Sequence, residues 1–151
     1  MAGKGATSVG GFSAQERAAM KERAAELKAD ARRARAADRA AADEADVLAK
    51  IATMPQEDRA LAERVHSIVT TAAPELAPKL YYGQPGYSRD GKVVCFFRSG
   101  QMDKERYSTF GFSVQAGLDD DSGLWATSFA LVQPTEAAWE RLAALVRHAV
   151  E

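Results

Sequence analysis

The sequence has one cysteine, two histidines and no long apolar run. Cys95 cannot form an internal disulfide, and its apolar surroundings in residues 93–97 predict a buried thiol in a reducing cytoplasm. No apolar run approaches the ~18 residues that a membrane-spanning helix needs, so we expect no membrane association. The N-terminus has no apolar stretch typical of a secretory signal, and we expect residues 1–12 to form a flexible tail of a cytoplasmic protein.

Acidic and basic residues are almost balanced. The chain of 151 residues has 20 Lys and Arg against 21 Asp and Glu, for a formal net charge of -1. This balance argues against a generally basic nucleic-acid-binding protein, although a local basic patch stays compatible with it. Hydrophobic and charged fractions of 46% and 27% are ordinary for a globular protein, and the length suits a single domain with its own core.

The sequence also lacks the common catalytic patterns. It contains no nucleophile motif with His and Asp in a recognisable order, no GxxxxGK phosphate loop and no paired histidine ligands. We therefore expect a non-catalytic protein, and catalysis would need groups that only the fold brings together. No cofactor follows from the residues themselves.

Residues 13–52 are predicted to form a charged, alanine-rich helical extension. Ser13 and Glu16 have the spacing of a capping box, which marks a helix start. No glycine or proline interrupts the segment, so the pattern predicts one helix of about forty residues or two helices with a break near residues 35–39. We expect a solvated helix that packs only through its C-terminal end, around Val47, Leu48 and Ile51.

A thin apolar stripe runs along this extension at a spacing of seven residues. It consists of Met20, Leu27, Ala34, Ala41 and Leu48. The neighbouring seam positions are small or charged, which disfavours a stable two-stranded coiled coil. The oligomeric state is left open, because the helix can pair with a second copy or pack back on its own domain.

Residues 53–151 are predicted to form an α+β domain. Met54-Pro55 precedes a helix that ends before Pro74, with a stripe formed by Leu61, Val65, Ile68, Val69 and Ala72. About five short strands follow without intervening helices, which favours an antiparallel sheet covered by helices. Thr135 is predicted to cap a last amphipathic helix containing Ala138, Trp139, Leu142, Leu145, Val146 and Ala149.

The stretch from Lys79 to Phe97 contains the clearest strand and turn signals. Asp90-Gly91 predicts a two-residue type I′ hairpin, since both residues tolerate positive φ. The apolar run 93–97 predicts a central strand covered on both faces. Gln84 and Pro85 predict a kinked edge segment, because proline removes a backbone donor. Two later strands are expected at residues 106–114, with Val114 facing inward, and at residues 127–132.

Several motifs in this domain resemble the YdhG-like family of uncharacterised bacterial domains. The match covers about residues 52–151. It is carried by Met54-Pro55, Asp58-Arg59, Ala73-Pro74-Glu75-Leu76, Tyr82-Gly83-Gln84-Pro85-Gly86-Tyr87, Asp90-Gly91-Lys92-Val93-Val94, the segment Tyr107 to Phe112, Leu118-Asp119-Asp120, Trp125, Ser128-Phe129-Ala130-Leu131, and the closing segment Leu145 to Val150. The chain departs from the family pattern at Gln84, where relatives usually have Met, and at Ala126, where many have Pro.

The resemblance implies a frataxin-like and YjbR-like superfamily fold, a small sheet covered by helices. Some members of the superfamily are described as iron chaperones, and the YjbR-like branch has been suggested to bind DNA. Fold alone does not transfer either role. Iron is thus the one cofactor that the resemblance brings into consideration.

We expect the site to be an aromatic rim at one end of the sheet. Its five members are Tyr82, Gln84, Tyr87, Tyr107 and Trp125. Flat apolar rings with polar tips suit a small-molecule pocket, and a small molecule or a protein is the expected partner. The alternative is that Tyr82 and Trp125 are aromatics at the edge of the core.

Two other binding functions remain open at this stage. Iron binding would use clustered carboxylates, and Asp119, Asp120 and Asp121, with Asp103 and Glu105 nearby, are the candidates. Nucleic-acid binding is less favoured because of the near-neutral charge. It would use the basic residues Arg32, Arg33, Arg35 and Arg39 of the helix and Lys79, Arg89, Lys92 and Arg98 of the sheet.

Overall fold

The computed structural model describes residues 12–151 and has the predicted α+β fold. The elements in chain order are α1 (Ala14–Ala52), α2 (Gln56–Ala72), β1 (Ala77–Tyr81), β2 (Gln84–Arg89), β3 (Lys92–Arg98), β4 (Ser108–Phe112), β5 (Ser128–Leu131) and α3 (Glu136–Ala149). The predicted flexible tail falls almost wholly outside the described residues. Within residues 12–151, no helix has the length and apolar character needed to cross a membrane.

Helix α1 is a single uninterrupted helix of 39 residues. Its start is the predicted capping box: the Glu16 amide donates to Ser13 Oγ at 3.0 Å, and the Ser13 amide donates to Glu16 Oε1 at 2.9 Å. The chain divides into two compact units between Arg39 and Ala40, so the last turns of α1 belong to the unit that contains the sheet.

Helix α1 contacts the core through two residues of its last turns, and the large residues of the predicted apolar stripe are exposed. Val47 and Ile51 are buried in the core, as expected for a helix packing through its C-terminal end. Leu48 is about half exposed, so the expectation that it joins this contact was wrong. Consecutive residues on a helix point about 100° apart, and Leu48 therefore lies at the flank of the side that Val47 and Ile51 bury. Met20 and Leu27 are also exposed.

The buried stripe of α2 is rotated from the predicted one. Asp58, Ala62, Val65 and Val69 are its buried residues, whereas Leu61 and Ile68 are only partly buried. A buried aspartate in the first turn is the unexpected member of this set. Helix α3 follows its prediction more closely: Trp139, Leu142, Val146 and Ala149 are buried, and the Ala138 amide donates to Thr135 Oγ1 at 3.2 Å.

The five strands form an antiparallel meander in the order β1-β2-β3-β4-β5. Asp90 and Gly91 both have positive φ, which confirms the predicted type I′ turn between β2 and β3. Tyr82 and Gly83 form a second turn of this kind between β1 and β2, which was not predicted.

Pro85 lies in β2, which is an interior strand, so the prediction of an edge segment was wrong. Proline is tolerated there because the ladder from β2 to β3 begins only at Gly86, and Pro85 pairs with β1 alone, opposite Leu80.

One face of the sheet is buried against the helices and the other is partly exposed. The buried face carries the large core side chains Tyr87, Cys95, Phe97, Phe110, Phe112 and Leu131. On the opposite face, the rings of Tyr81 and Phe96 lie 5.2 Å apart and remain partly exposed. Strand β3 is therefore central but not covered by helices on both faces, because its alternate residues point to the open side. Val114 lies beyond β4 and is exposed, contrary to its predicted inward position.

Candidate ligand-binding cavity

The five residues of the expected aromatic rim do not meet at one place. Tyr82 is at a hairpin tip with 81% of its surface exposed, and Trp125 is 40% exposed in the loop between β4 and β5. Gln84 and Tyr87 are buried. Of the five, only Tyr107 lines the cavity between the first turn of α2, the loop from β3 to β4 and the end of β5.

Local geometry explains this dispersal. Side chains alternate along a strand, so Gln84 and Tyr87, three residues apart in β2, point to opposite faces of the sheet. Tyr82 occupies a turn position with positive φ, and its exposed ring lies edge-on to the ring of Tyr81, with the centroids 4.6 Å apart. The sequence shows that aromatic residues are frequent in this region, but it does not show to which side of the sheet each ring points.

A cavity of about 350 Å³ lies between the first turn of α2, the loop from β3 to β4 and the end of β5. Its apolar walls include Leu61, Tyr107, Leu131 and Val132. Its acidic residues are Glu57, Asp58 and Glu105, and its basic residue is Arg106. Volume and composition are those of a small-molecule pocket, in which apolar walls surround a few polar groups.

Asp58 is the most buried acidic residue of the cavity, with 5% of its surface exposed. Ser99 Oγ donates to Asp58 Oδ2 at 2.5 Å, and the Gln101 amide donates to the same oxygen at 2.9 Å. Gln101 Nε2 donates to Oδ1 at 3.3 Å. Ser99 Oγ also accepts a hydrogen bond from the Met102 amide at 3.2 Å, so the hydroxyl acts as an acceptor towards Met102 and as a donor towards Asp58. We call Asp58, Ser99 and Gln101 the cavity cluster.

Gln84 supports this cluster from behind. Its Oε1 accepts a hydrogen bond from the Ser99 amide at 2.6 Å, and its Nε2 donates to Asp103 Oδ1 at 3.3 Å. Arg98 Nε donates to the other oxygen of Asp103 at 2.9 Å. Gln84 thus holds the start of the loop in place instead of facing the cavity.

Gly100 sets the position of Tyr107 at the cavity wall. A side-chain carbon on Gly100 would lie 2.3 Å from the Tyr107 carbonyl oxygen, so glycine is required for this close approach. The Gly100 amide donates to Ser108 Oγ at 3.0 Å, and the Gly100 carbonyl accepts from the Glu105 amide at 2.7 Å. The loop is therefore closed on itself next to the cavity.

A second polar cluster lies at the helix-covered face of the sheet, with Tyr87 buried, His66 partly buried and Glu44 about half exposed. His66 Nδ1 is 3.0 Å from the Tyr87 hydroxyl, and His66 Nε2 is 3.3 Å from Glu44 Oε2. Tyr87 is fully buried, and burial raises its pKa above the ordinary value. Burial likewise raises the pKa of the thiol of Cys95, which pairs with Tyr87 across the strands. We call Glu44, His66 and Tyr87 the sheet cluster.

Sequence reasoning assigned His66 only to the boundary of a helix stripe and gave Glu44 no role. The only sequence signal for His66 is its buried neighbour Val65, which places His66 close to the core but does not indicate its partners. The partners come from α1 and β2, and no local pattern connects three residues on three elements.

The three aspartates proposed for iron lie in an exposed loop. Asp120 accepts hydrogen bonds from the amide and hydroxyl of Ser122, which lower the pKa of Asp120. Across residues 12–151, no three His, Cys, Asp or Glu side chains are arranged to hold a metal ion. The local turn directs the Asp120 carboxylate to Ser122, so it does not converge with those of Asp119 and Asp121.

Two of the four basic sheet residues considered for nucleic acid have intramolecular partners. Arg98 pairs with Asp103, and Arg89 donates to the Val150 carbonyl at 3.0 Å. Asp103 offsets the charge of Arg98, and the contact with Val150 holds the Arg89 guanidinium at the C-terminal end of the chain.

Comparison of the chain with protein-family models, with curated proteins and with solved structures found no match.

Proposed function

We propose that this chain is a non-catalytic small-molecule-binding protein whose ligand occupies the cavity beside Asp58. The observation that carries the proposal is a cavity of about 350 Å³ that combines apolar walls, an aromatic side chain and a buried carboxylate. Tyr107, 38% exposed, is the member of the expected aromatic rim that contributes to it. The proposed ligand is therefore of the expected class, a small molecule. Its proposed site lies at the loop between β3 and β4 and not at the expected aromatic rim.

Two features favour binding over chemistry at this place. The hydroxyl next to Asp58 belongs to Ser99, which is fully buried and cannot reach a ligand in the cavity. The amide nitrogens of the loop are engaged in holding its shape, as for Gly100 and Gln101. Such a prearranged loop lowers the ordering cost of binding.

The proposal is tested by titrating a fragment library into the ¹⁵N-labelled protein. We expect some fragments to shift the amide signals of Gly100, Gln101 and Tyr107. The variant Ala60→Trp places a large ring at the cavity lining and is expected to abolish those shifts.

Ala144→Trp is the matched control, because Ala144 is an exposed helix residue outside the cavity lining. Loss of binding in Ala60→Trp alone supports the proposal. Shifts that are the same in both variants, or a library that moves no cavity signal, would reject it.

We also propose that the domain is a distant member of the YdhG-like family and is cytoplasmic. The motifs that carry the resemblance include the turn Asp90-Gly91 and the segment Gln84 to Tyr87, which form connected parts of the sheet. The buried free thiol of Cys95 fits a reducing compartment. A profile built from homologous sequences and fractionation of the native cells test these two points.

A further inference from the structure

We infer that the ligand of the cavity is a small organic cation, an amine with an apolar body. This inference rests on the proposed function and adds the charge and chemical class of the ligand. Three observations support it: a buried carboxylate without a cationic partner, the charge of the lining, and an aromatic wall that already accepts a cation.

The buried carboxylate is Asp58. It accepts three hydrogen bonds, one from the Ser99 hydroxyl and two from the backbone and side-chain nitrogens of Gln101. Both carboxylate oxygens therefore act as acceptors, as in an ionised carboxylate. Yet within residues 12–151 no Lys, Arg or His nitrogen lies within 4.0 Å of it. A buried charge ordinarily has a counter-charge, and the amide groups of the first turn of α2 supply only a partial one. A ligand cation would supply the full charge.

The charged residues of the lining are mostly acidic. Glu57 and Glu105 are exposed at the cavity, and neither forms an ion pair within residues 12–151. Arg106 is the basic residue among those that line the cavity in the described part of the chain. Three carboxylates against one guanidinium produce a negative potential, which attracts a cation and repels an anion.

The aromatic wall is suited to a cation. The guanidinium of Arg106 lies 5.1 Å from the centroid of the Tyr107 ring, within the range of a cation–π contact. The same ring lines the cavity beside Leu61 and Leu131, which suit an apolar body. No set of three metal-ligating side chains exists in residues 12–151, so these features favour an organic cation over a metal ion.

The experiment uses benzylamine and two analogues of similar size, neutral benzyl alcohol and anionic benzoate. Each is titrated into the full chain while the amide signals of Gly100, Gln101 and Tyr107 are followed. We expect benzylamine to bind at least about tenfold more tightly than either analogue, since a desolvated carboxylate discriminates strongly between a cation and its uncharged counterpart. Added salt should weaken this preference.

Variants that remove one negative charge each show which carboxylate causes the preference for benzylamine. Glu105→Gln is expected to weaken benzylamine binding about threefold without unfolding the exposed loop, in keeping with a solvent-screened charge. Asp58→Asn is expected to remove the preference for the cation. Glu63→Gln is the matched control, because Glu63 is exposed on α2 outside the cavity lining, and it should leave binding unchanged.

The outcomes separate this inference from the proposed function. If benzyl alcohol or benzoate shifts the same amides as strongly as benzylamine, the cavity binds small molecules and the inference of a cation is wrong. The inference is also wrong if Glu105→Gln, Asp58→Asn and Glu63→Gln all bind benzylamine like the original chain. If neither these compounds nor the fragment library moves a cavity signal, both proposals fail.

Discussion

The cavity cluster and the sheet cluster are both built on α2, yet they differ in what surrounds them. Asp58 lies in the first turn of the helix beside a cavity, and its donors come from one loop. His66 lies two turns further on and connects Glu44 of α1 with the fully buried Tyr87 of β2. Within residues 12–151, Asp58 of the first cluster forms no ion pair. The second cluster joins three elements, and none of its three residues lines the cavity beside Asp58.

This difference separates a binding function from a structural one. A polar group at a cavity can exchange or add a partner, because the space next to it admits one. A polar group inside closed packing has only the partners that the fold provides, and losing one leaves it unsatisfied. We therefore expect stability to depend on both clusters, whereas ligand binding should depend on the cavity cluster and the cavity lining and not on the sheet cluster.

The largest effect on stability is expected from Asp58→Ala. The change leaves the Ser99 hydroxyl and the Gln101 amide without their acceptor in a buried place, at a cost of about 3 kcal/mol. Urea unfolding followed by circular dichroism measures the loss. Asp58→Asn keeps one acceptor oxygen and should cost less; equal losses in the two variants would contradict this explanation.

The second effect is a loss of stability at alkaline pH, caused by Tyr87 of the sheet cluster and its strand neighbour Cys95. Folding raises the pKa of Cys95 and Tyr87 above their ordinary values of 9.0 and 10.0, so the folded state keeps its protons while the unfolded state loses them. The stabilisation is complete below about pH 9 and is lost as the pH rises, by about 1.4 kcal/mol per pH unit for each group.

Urea midpoints between pH 7 and pH 10.5 test this expectation. Cys95→Ala should remove the part of the loss that begins near the ordinary pKa of the thiol, 9.0. A midpoint that stays constant up to pH 10.5 would show that neither group remains protonated in the folded state.

A smaller effect is expected from Tyr87→Phe. It deletes the hydroxyl that bonds His66 Nδ1 and should cost about 1 kcal/mol. His66→Leu leaves the Tyr87 hydroxyl buried without a partner and should cost about 2 kcal/mol. Because the two groups serve each other, the double variant should lose less than the sum of the single losses. Additive losses would show that the His66–Tyr87 contact contributes no stability.

The smallest effect on stability is expected from Tyr107→Ala. The ring is partly exposed, so its loss should change the free energy of unfolding by only about 0.5 kcal/mol. Benzylamine binding should nevertheless weaken, because a wall of the cavity is removed. Thermal unfolding and the amide titration measure the two quantities on the same sample. A large loss of stability with unchanged binding would show that Tyr107 supports the fold and not the ligand.

Features set by neighbouring residues were predictable from the sequence. The capping box at Ser13 and Glu16, the turn at Asp90-Gly91 and the cap at Thr135 each depend on contacts within a few residues, and each is present. The amphipathic pattern of α3 and the succession of short strands likewise predicted the α+β fold, because their periods match a helix and a sheet.

The candidate site was not predictable in this way. An aspartate in a first helical turn is expected to be exposed and to favour the helix dipole. Asp58 is instead covered by a loop whose nearest donor, Ser99, lies 41 residues further along the chain. Gln84 was expected at a binding rim, and its burial depends on the same loop.

The sequence by itself indicated the helices, the turn at Asp90-Gly91 and the antiparallel pairing of the strands. The tertiary structure decided that Tyr82 is exposed at a turn, that Tyr87 contacts His66 beneath the sheet, and that Tyr107 lines the cavity beside Asp58. The physical reason is the range of the interactions. Helices and turns are selected by residues within a few positions of one another, whereas a cavity exists only where distant segments pack and leave space between them.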